Sequence, residues 1–223
     1  MKIIGSKTIC NLFIVGANGG IGRQAVLQAL EAGHHVTALV RDPTKLVLQH
    51  TNLEIIKGDV LNLESFKQHL ENKDAVISAL GVSGGVFGDK PTTTYSQGNA
   101  NLLAAMKKAG VTRAFFISAS ALDISPVLPF YVRFVAKYIL QKLLKNMYHD
   151  LRIMEDLVKA SDINWTIMRP PRLTDGPITR QYRLAVGHFL KNCLKISRAD
   201  VAHYMVNNLF DKTSYKATVE ISY

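Results

Sequence analysis

The sequence predicts an α/β fold with a doubly wound parallel sheet, folded as a single domain over residues 1–223. Two observations support this prediction. Apolar segments of strand length alternate with helix-like segments, without repeats or an obvious linker, which is typical of a parallel sheet covered by helices on both faces. Near the N-terminus, the apolar segment ending at Val15 runs directly into a glycine-rich turn, residues 16–22, and then into a helix-like segment.

Glycine and proline mark the boundaries of the predicted elements. Gly33 and Gly110 end two helices, because glycine readily adopts the left-handed conformation that follows a helix C-terminus. Pro43 and Pro170 end two strands, since proline lacks a ladder N–H. Residues 81–91, with four glycines, are predicted to be a loop. The predicted strands are 9–15, 35–40, 53–56, 75–80, 114–117, 165–168 and 218–221, and the predicted helices are 21–30, 63–70, 94–109, 129–161 and 198–210.

The glycine-rich turn has the spacing G-x-x-G-x-x-G, which suits a bound pyrophosphate. Gly16 can take the tight turn, because it has no Cβ to clash. Gly19 lets the backbone approach a pyrophosphate, and Gly22 lets the helix pack against the strand. The N–H groups and the positive end of the helix dipole would face the anion. A structural loop is the alternative interpretation, but the strand–turn–helix order favours a Rossmann-like nucleotide cradle.

Ligands of such sheets bind beyond the carboxyl ends of the strands, so the residues after each strand are candidates. Arg41 follows the second strand, where a guanidinium suits the 2′-phosphate of NADP and a carboxylate would suit the 2′-OH of NAD. Lys45 lies about one helical turn further on and could add a second positive charge. Asp42 could serve a 2′-OH instead, and Arg41 could be a solvated surface residue. We expect NADP(H), which these residues favour over NAD(H).

The next two strands are followed by candidates for the rest of the cofactor. Asp59, beside Val60, could accept a hydrogen bond from the adenine amino group, or it could cap the following segment. The fourth strand ends in small residues that would leave room for the ribose and nicotinamide. These residues are Ala79, Leu80 and Gly81.

Two serines follow the fifth strand, near the expected nicotinamide position. The hydroxyls of Ser118 and Ser120 could donate to a substrate carbonyl or hold the nicotinamide amide. Ordinary turn serines are the alternative. After the sixth strand, Arg169, Pro170 and Pro171 would form the floor of the substrate cleft; the alternative is that they only terminate the strand.

Composition excludes several classes of protein. Of the 223 residues, 48% are hydrophobic, which is enough for one domain with a proper core. No apolar segment is long enough to span a bilayer, and the N-terminal residues lack a signal-peptide pattern. Cys10 and Cys193 form no metal-ligand spacing, so we expect a cytoplasmic protein with reduced thiols and no metal. The net charge of +10 could favour anionic cofactors, nucleic acid or acidic lipid.

Together these segments resemble the atypical short-chain dehydrogenase/reductase family, in the NAD(P)H-binding branch that includes the biliverdin-IXβ (flavin) reductases. The motifs that carry the resemblance are residues 15–22, 39–42, 58–60, 74–77, 101–107, 165–170 and 196–202. The resemblance covers nearly the whole chain and implies an NADP cofactor. The cofactor-binding residues expected from the residues and the resemblance together are Gly16, Ala17, Asn18, Gly19, Gly20, Ile21, Gly22, Arg41, Lys45, Asp59, Val60, Ala79, Leu80, Gly81, Ser118 and Pro170. Asn18 stands where the family usually has threonine.

The chain departs from the related dehydrogenases at the proton donor. Those enzymes use Tyr-x-x-x-Lys after the fifth strand, with the phenol as acid and lysine lowering its pKa. Counted back from the later motifs, the equivalent positions hold Met147 and Leu151, which transfer no proton. Tyr138 with Lys142 matches the pattern in letters only, in a segment that looks inserted. His149 is a candidate proton donor, or part of a solvated helix face.

The segment from Pro129 to Lys145 is basic and amphipathic. Its cations recur at i, i+4 spacing, as in Arg133 and Lys137, and apolar residues occupy much of the remaining surface. Such a helix can lie on an anionic membrane. We favour the alternatives, which are a core-packed helix with one wet face or a lid over the substrate.

The residues lead to two main function hypotheses. The first is an NADPH-dependent oxidoreductase that transfers hydride to a small conjugated acceptor, such as a flavin, quinone or tetrapyrrole. Such acceptors can take their proton from water, so the missing tyrosine is no obstacle. The second is a non-catalytic NADP(H)-binding redox sensor, assembly factor or scaffold. Nucleic-acid binding is not expected, since no basic motif with interleaved aromatic residues supports it. We expect a monomer or homodimer with a small-molecule substrate.

Overall fold

The computed structural model describes residues 2–4, 7–81 and 91–223. Its strands are β1 (Lys2–Ile4), β2 (Lys7–Ile9), β3 (Asn11–Val15), β4 (His35–Val40), β5 (Leu53–Lys57), β6 (Ala75–Ser78), β7 (Arg113–Ile117), β8 (Asn164–Arg169), β9 (Arg172–Thr174), β10 (Arg183–Val186), β11 (Lys195–Ser197) and β12 (Ala217–Ser222). Its α-helices are α1 (Gly20–Glu31), α2 (Thr94–Ala109), α3 (Phe130–Val135), α4 (Gln141–Leu143), α5 (Lys145–Lys159) and α6 (Arg198–Asn207).

The central sheet confirms the predicted α/β doubly wound fold. Eight strands lie in the order β10-β12-β8-β7-β6-β3-β4-β5, and all neighbours are parallel except β10 and β12. The chain runs from β3 to β4 and β5 on one side, then crosses to β6 on the other. Val15 at the end of β3 pairs with Leu39 and with Ser78, so the ends of three strands meet at this reversal point. Ligands of open α/β sheets bind at such a point.

Strand β3 is buried on both faces and divides the core into two layers. Its alternate side chains point to opposite faces of the sheet. Leu12 and Ile14 pack in the layer that contains α1 and α6, whereas Phe13 and Val15 pack in the layer that contains α2 and α5. A strand covered on both faces reads as a continuous apolar run, which is why the sequence predicted it correctly.

Short elements differ from the prediction. The predicted helix 63–70 is instead two 3₁₀ turns, Leu63–Ser65 and Lys67–Leu70. The Ser65 hydroxyl donates to the Asn62 carbonyl at 2.7 Å, and such local side-chain bonds compete with helical ones. Strands β9, β10 and β11 were not predicted, because each has three or four residues and pairs with a segment distant in sequence. Residues 82–90 of the predicted loop 81–91 lie outside the described residues.

The predicted helix 129–161 is divided. A π turn, Ala136–Leu140, joins α3 to α4, and the helix ends before α5 begins at Lys145. Between residues 130 and 141 only Ala136 is buried, so the prediction of a core-packed helix is wrong for this part. Within the described residues, no helix combines the length and the apolarity that crossing a membrane requires.

Asp150 on α5 caps the N-terminus of α2, and its removal tests how these helices are held together. The buried carboxylate accepts hydrogen bonds from the N–H groups of Tyr95 at 2.9 Å and Ser96 at 3.1 Å. We expect Asp150→Ala to lower the free energy of unfolding by about 1–2 kcal/mol, because two N–H groups lose their acceptor. Urea denaturation measures this. The control Asp156→Ala, exposed on the same helix, should cost less than about 0.5 kcal/mol, and equal losses would contradict the cap.

Candidate functional site

A cleft of about 760 Å³ lies at the carboxyl ends of the central strands. It brings together most of the residues that the sequence predicted to hold a cofactor. The predicted residues that line it are Gly16, Ala17, Asn18, Gly19, Gly20, Ile21, Arg41, Lys45, Asp59, Val60, Ala79, Leu80, Gly81, Ser118 and Pro170. Of the others, Gly22 lies behind the turn, and Ser120 and His149 are not among the lining residues.

Two glycines of the turn are required by close backbone contacts. Gly16 has a φ of +76°, and a Cβ there would lie 2.2 Å from the Ala79 carbonyl oxygen. A Cβ on Gly22 would lie 2.2 Å from the Gly16 carbonyl oxygen. Gly22 therefore acts in helix–strand packing, as its position in the motif predicted, and does not line the cleft.

The N-terminus of α1 is open towards the cleft. Helix α1 begins at Gly20, and its N-cap residue is Gly19, which has no side chain to accept a hydrogen bond from the first-turn N–H groups. The first turn carries no acidic residue, so its N–H groups and the positive end of the helix dipole are available to an anion. The Arg198 side chain packs over Gly20, where a Cβ would lie 2.2 Å from its Cδ. A pyrophosphate fits this combination of open N–H groups, small residues and a nearby guanidinium.

The end of β4 forms the second charged part of the cleft. Asn18 Nδ2 donates to the Asp42 carbonyl oxygen at 3.2 Å, which ties the glycine-rich turn to this strand end. Asp42 Oδ1 accepts from the Thr44 N–H at 3.1 Å and hydroxyl at 2.6 Å, and these bonds hold the pKa of Asp42 below its usual range. Its Oδ2 lies 3.8 Å from Lys45 Nζ. Asp42 thus caps a local turn, while Arg41 lies exposed at the cleft.

Asp59 lines the cleft and also has a local structural role. Its Oδ1 accepts from the Leu61 N–H at 3.0 Å, and its own N–H donates to Ser65 Oγ at 3.0 Å. The neighbouring Val60 carbonyl accepts from Asn101 Nδ2 at 2.9 Å. Both interpretations of Asp59 are therefore compatible with its position, because the carboxylate caps the turn at the edge of the cleft.

A buried ionic network lies beneath the cleft. Ser118 Oγ donates to Glu155 Oε1 at 2.7 Å, and Arg169 donates to both oxygens of that carboxylate, at 2.8 and 2.6 Å. Lys159 Nζ lies 2.8 Å from Glu155 Oε2, and Arg169 Nη1 lies 2.7 Å from Asp123. Burial alone would raise the pKa of Glu155, but the bonds and charge of Arg169, with Lys159 and Ser118, hold it below its ordinary value. The Ser118 proton is therefore directed away from the cleft, and its oxygen remains an acceptor.

Two predicted catalytic side chains are not brought to the cleft. His149 is exposed on α5, whereas its neighbours Tyr148 and Asp150 are buried. Ser120 lies in a 3₁₀ turn, and its N–H donates to the Pro170 carbonyl at 3.1 Å. Their assignment as catalytic residues is corrected accordingly, because neither side chain lines the cavity.

The residues that the sequence placed at the position of the missing acid lie at the cleft. Met147 and Leu151 line the cleft, whereas Tyr138 is exposed and is not a lining residue. The lining residues that sequence reasoning missed include Tyr95 at the start of α2 and Arg198 at the start of α6. The signal for Arg198 was its place inside a motif already noted, directly after a strand and at a helix N-terminus.

The cysteines and metal-binding groups offer no second site in the described residues. Burial raises the pKa of Cys10 to about 11 and that of Cys193 to about 12, so both thiols stay protonated at neutral pH. No group of three or more His, Cys, Asp or Glu side chains with metal-binding geometry occurs in residues 2–4, 7–81 and 91–223.

Known proteins share parts of this sequence. Photosystem II assembly factor Ycf39 from Synechocystis sp. is 36% identical over 48% of this chain and 33% of its own length. An isoflavone reductase homolog from Zea mays is 30% identical over 51% of this chain and 36% of its own length. The chain thus spans about a third of the length of these two relatives.

Solved structures and a family model agree with the architecture. A short-chain dehydrogenase/reductase from Veillonella parvula, in complex with NADP, has a similar fold, with a TM-score of 0.78 and 17% identity over 97% of this chain and 95% of that chain. The model of the NAD(P)H-binding family matches residues 16–212, which include the glycine-rich turn, Arg41 and the strands from β4 to β8. The chain therefore belongs to the NAD(P)H-binding family.

Proposed function

We propose that the protein is an NADPH-dependent reductase of a small, flat, conjugated acceptor such as a flavin, quinone or tetrapyrrole. The observation that carries this proposal is that the two ends of one cleft differ in charge and polarity. Its adenine end has an anion-binding turn and the cation Arg41, and its other end is walled by apolar side chains. The proposal is in line with the sequence resemblance to the biliverdin-IXβ and flavin reductases.

The cofactor end favours NADP(H) over NAD(H). Arg41 and Lys45 would hold the 2′-phosphate, and the N–H groups at the start of α1 would hold the pyrophosphate. Asp42, the carboxylate that could have served a 2′-OH, is engaged by the N–H and hydroxyl of Thr44. The structural neighbour from Veillonella parvula is itself in complex with NADP, which supports this choice.

The acceptor end supplies contact area and few polar groups. Its apolar lining residues are Ile117, Met147, Leu151, Pro171 and Leu173. When bound, NADPH supplies the hydride. The protein would orient the two reactants and exclude water between them, while the Ser118 oxygen accepts a hydrogen bond from an amide. A conjugated acceptor needs no positioned acid, since its reduced form takes a proton from water.

A non-catalytic role is the second candidate. The same absence of an acid at Met147 would suit an NADP(H)-binding sensor, assembly factor or scaffold, and one partial relative is named an assembly factor. NADPH consumption with a set of flavins and quinones separates the two functions. Tight NADPH binding without turnover on any acceptor would overturn the reductase proposal in favour of the second.

Gly19→Val tests the cradle. A branched side chain at this position would occupy the space in front of the open α1 N-terminus, so the pyrophosphate could not approach. We expect NADPH binding, followed by fluorescence titration, to fail. The melting temperature should fall only modestly, because Gly19 is exposed with a φ of −78°, although a Cβ there would lie 3.2 Å from the Gly16 carbonyl oxygen. Normal NADPH binding by this variant would place the cofactor elsewhere.

Arg41→Ala tests the cofactor preference. Loss of a charge-assisted contact to phosphate costs roughly 1.5–3 kcal/mol, so NADP(H) affinity should fall at least tenfold. NAD(H) affinity should stay nearly unchanged. Isothermal titration calorimetry measures both, with Arg23→Ala as the control, since Arg23 is exposed on α1 and does not line the cleft. Equal losses for the two cofactors would contradict the assignment.

Tyr138→Phe and Ser118→Ala test the chemistry. Tyr138 lies outside the cleft, so its variant should change turnover less than about tenfold, below the typical contribution of a general acid. Ser118→Ala should reduce turnover more, because this residue lines the cleft and bonds Glu155. Steady-state rates with NADPH and a flavin or quinone decide. A large loss of turnover in Tyr138→Phe with little change in Ser118→Ala would identify Tyr138 as the general acid. A large loss of turnover in Tyr95→Phe would instead identify the Tyr95 phenol as the proton donor.

A further inference from the structure

We propose that α3 and α4, with the π turn between them, form a docking surface for an anionic phospholipid bilayer. This inference concerns the outside of the molecule and stands independently of the proposed reductase activity. It rests on the exposure of one group of aromatic side chains, on the charges beside them, and on the absence of carboxylates along this part of the chain.

Four aromatic side chains project from this segment into solvent. Phe130 is 83% exposed, Tyr131 60%, Phe134 59% and Tyr138 48%, whereas other aromatic rings such as Phe13 and Phe116 are fully buried. We call the four exposed rings the aromatic face; they are Phe130, Tyr131, Phe134 and Tyr138.

The aromatic face consists of two pairs of neighbouring rings, with exposed aliphatic residues on the same segment. The ring centroids of Phe130 and Tyr131 lie 5.8 Å apart, and those of Phe134 and Tyr138 lie 4.7 Å apart. Val135 and Ile139 on the same segment are 42% and 52% exposed. Large apolar side chains grouped at a surface mark an interaction site rather than the scattered exposure of ordinary proteins.

The charges beside the aromatic face are all positive. Arg133, Lys137, Lys142 and Lys145 are exposed, and Lys137 Nζ lies 5.4 Å from the Tyr138 ring centroid, so cation and ring share one surface. Residues 124–149 contain no aspartate or glutamate, which would oppose this charge. The surface therefore complements a negatively charged partner.

An anionic bilayer fits both properties at once. Amphipathic helices that lie in the plane of a membrane combine aromatic and aliphatic residues, which enter the headgroup region, with lysine and arginine, which face the phosphates. Tyrosine suits this position because its ring can be buried while its hydroxyl stays in water, and phenylalanine adds a wholly apolar ring that enters the headgroup region. A second copy of this chain is a poorer occupant, since it would bring the same four cations against these four.

Docking would also hold the cleft near the lipid surface. Lys145 begins α5, and Met147, two residues later, lines the cleft. The segment that contacts lipid is therefore continuous with the helix that forms the apolar wall of the acceptor end.

Vesicle flotation with the full chain tests the electrostatic part. We expect binding to phosphatidylcholine vesicles that contain phosphatidylserine, weak binding to pure phosphatidylcholine, and a loss of binding as salt is raised. Each lysine near such a surface contributes about fivefold, so Lys137→Gln with Lys142→Gln should weaken binding about 25-fold. The matched control is Lys107→Gln with Lys108→Gln, two exposed lysines at the end of α2, which should change nothing.

Fluorescence tests whether the aromatic face enters the bilayer. The chain has one tryptophan, Trp165, which is 7% exposed in the core and gives a constant background. In Phe134→Trp we expect a blue shift on adding the anionic vesicles, and quenching by lipids brominated in their acyl chains. Phe134→Ser should weaken vesicle binding without lowering the melting temperature, because the replaced ring is exposed.

Several results would overturn the proposal. These are no binding to either vesicle, equal binding to neutral and anionic vesicles, or a loss of vesicle binding in the control variant Lys107→Gln with Lys108→Gln that equals the loss in Lys137→Gln with Lys142→Gln. A dimer in sedimentation velocity that dissociates in Phe134→Ser, with no lipid binding, would assign the surface to a second copy instead. Capture of an acidic protein without vesicle binding would assign it to a protein partner.

Discussion

The fold and the cleft depend on one set of backbone contacts between the glycine-rich turn and the ends of β3 and β6. At Gly16 the chain passes so close to the Ala79 carbonyl that no side chain fits, and α1 starts so close to the turn that Gly22 must also lack one. These contacts fix the direction of α1, whose open N-terminus then faces the point where the strand order reverses. The dipole and N–H groups are therefore held in place by the sheet rather than by a ligand, an arrangement that suits an anion.

The ionic network beneath the acceptor end differs from the open N-terminus of α1, because its charged groups are paired with one another. Glu155 and Arg169 are both buried and bond each other, and Glu155 also bonds Lys159 and Ser118. These bonds join α5 to β8. Buried pairs of this kind contribute little net stability, but removing one partner is costly, since the other charge remains buried. The network therefore fixes the floor of the cleft without offering an exposed acid or base to a reactant.

Sequence patterns predicted the features that depend on local residue type and spacing. The apolar run of β3 and the glycine-rich turn followed from residue type and spacing, and the structure agrees with both. The place of Met147 was inferred from the family resemblance, and the structure shows this residue lining the cleft. The three short strands depend on pairing between distant segments, which no local pattern encodes. At residues 63–70, local side-chain bonds such as that of Ser65 to Asn62 replace the predicted helix with 3₁₀ turns. Ser118 is an intermediate case: its position at the cleft was predictable, but the direction of its hydroxyl was set by Glu155, a residue 37 positions away.

The character of the acceptor end limits how selective the cleft can be by itself. An apolar wall recognises shape and area, and one methylene more or less changes binding by only about 1–3 kcal/mol, whereas buried polar groups reject a wrong partner far more strongly. Met147 and Leu151 line the cleft, and on the family resemblance they would put such a wall where related enzymes place a tyrosine and a lysine. A reductase built in this way would accept several flat acceptors of similar size. Attachment to a lipid surface through the aromatic face would then restrict which acceptors it meets, so location would provide selectivity that the cleft lacks.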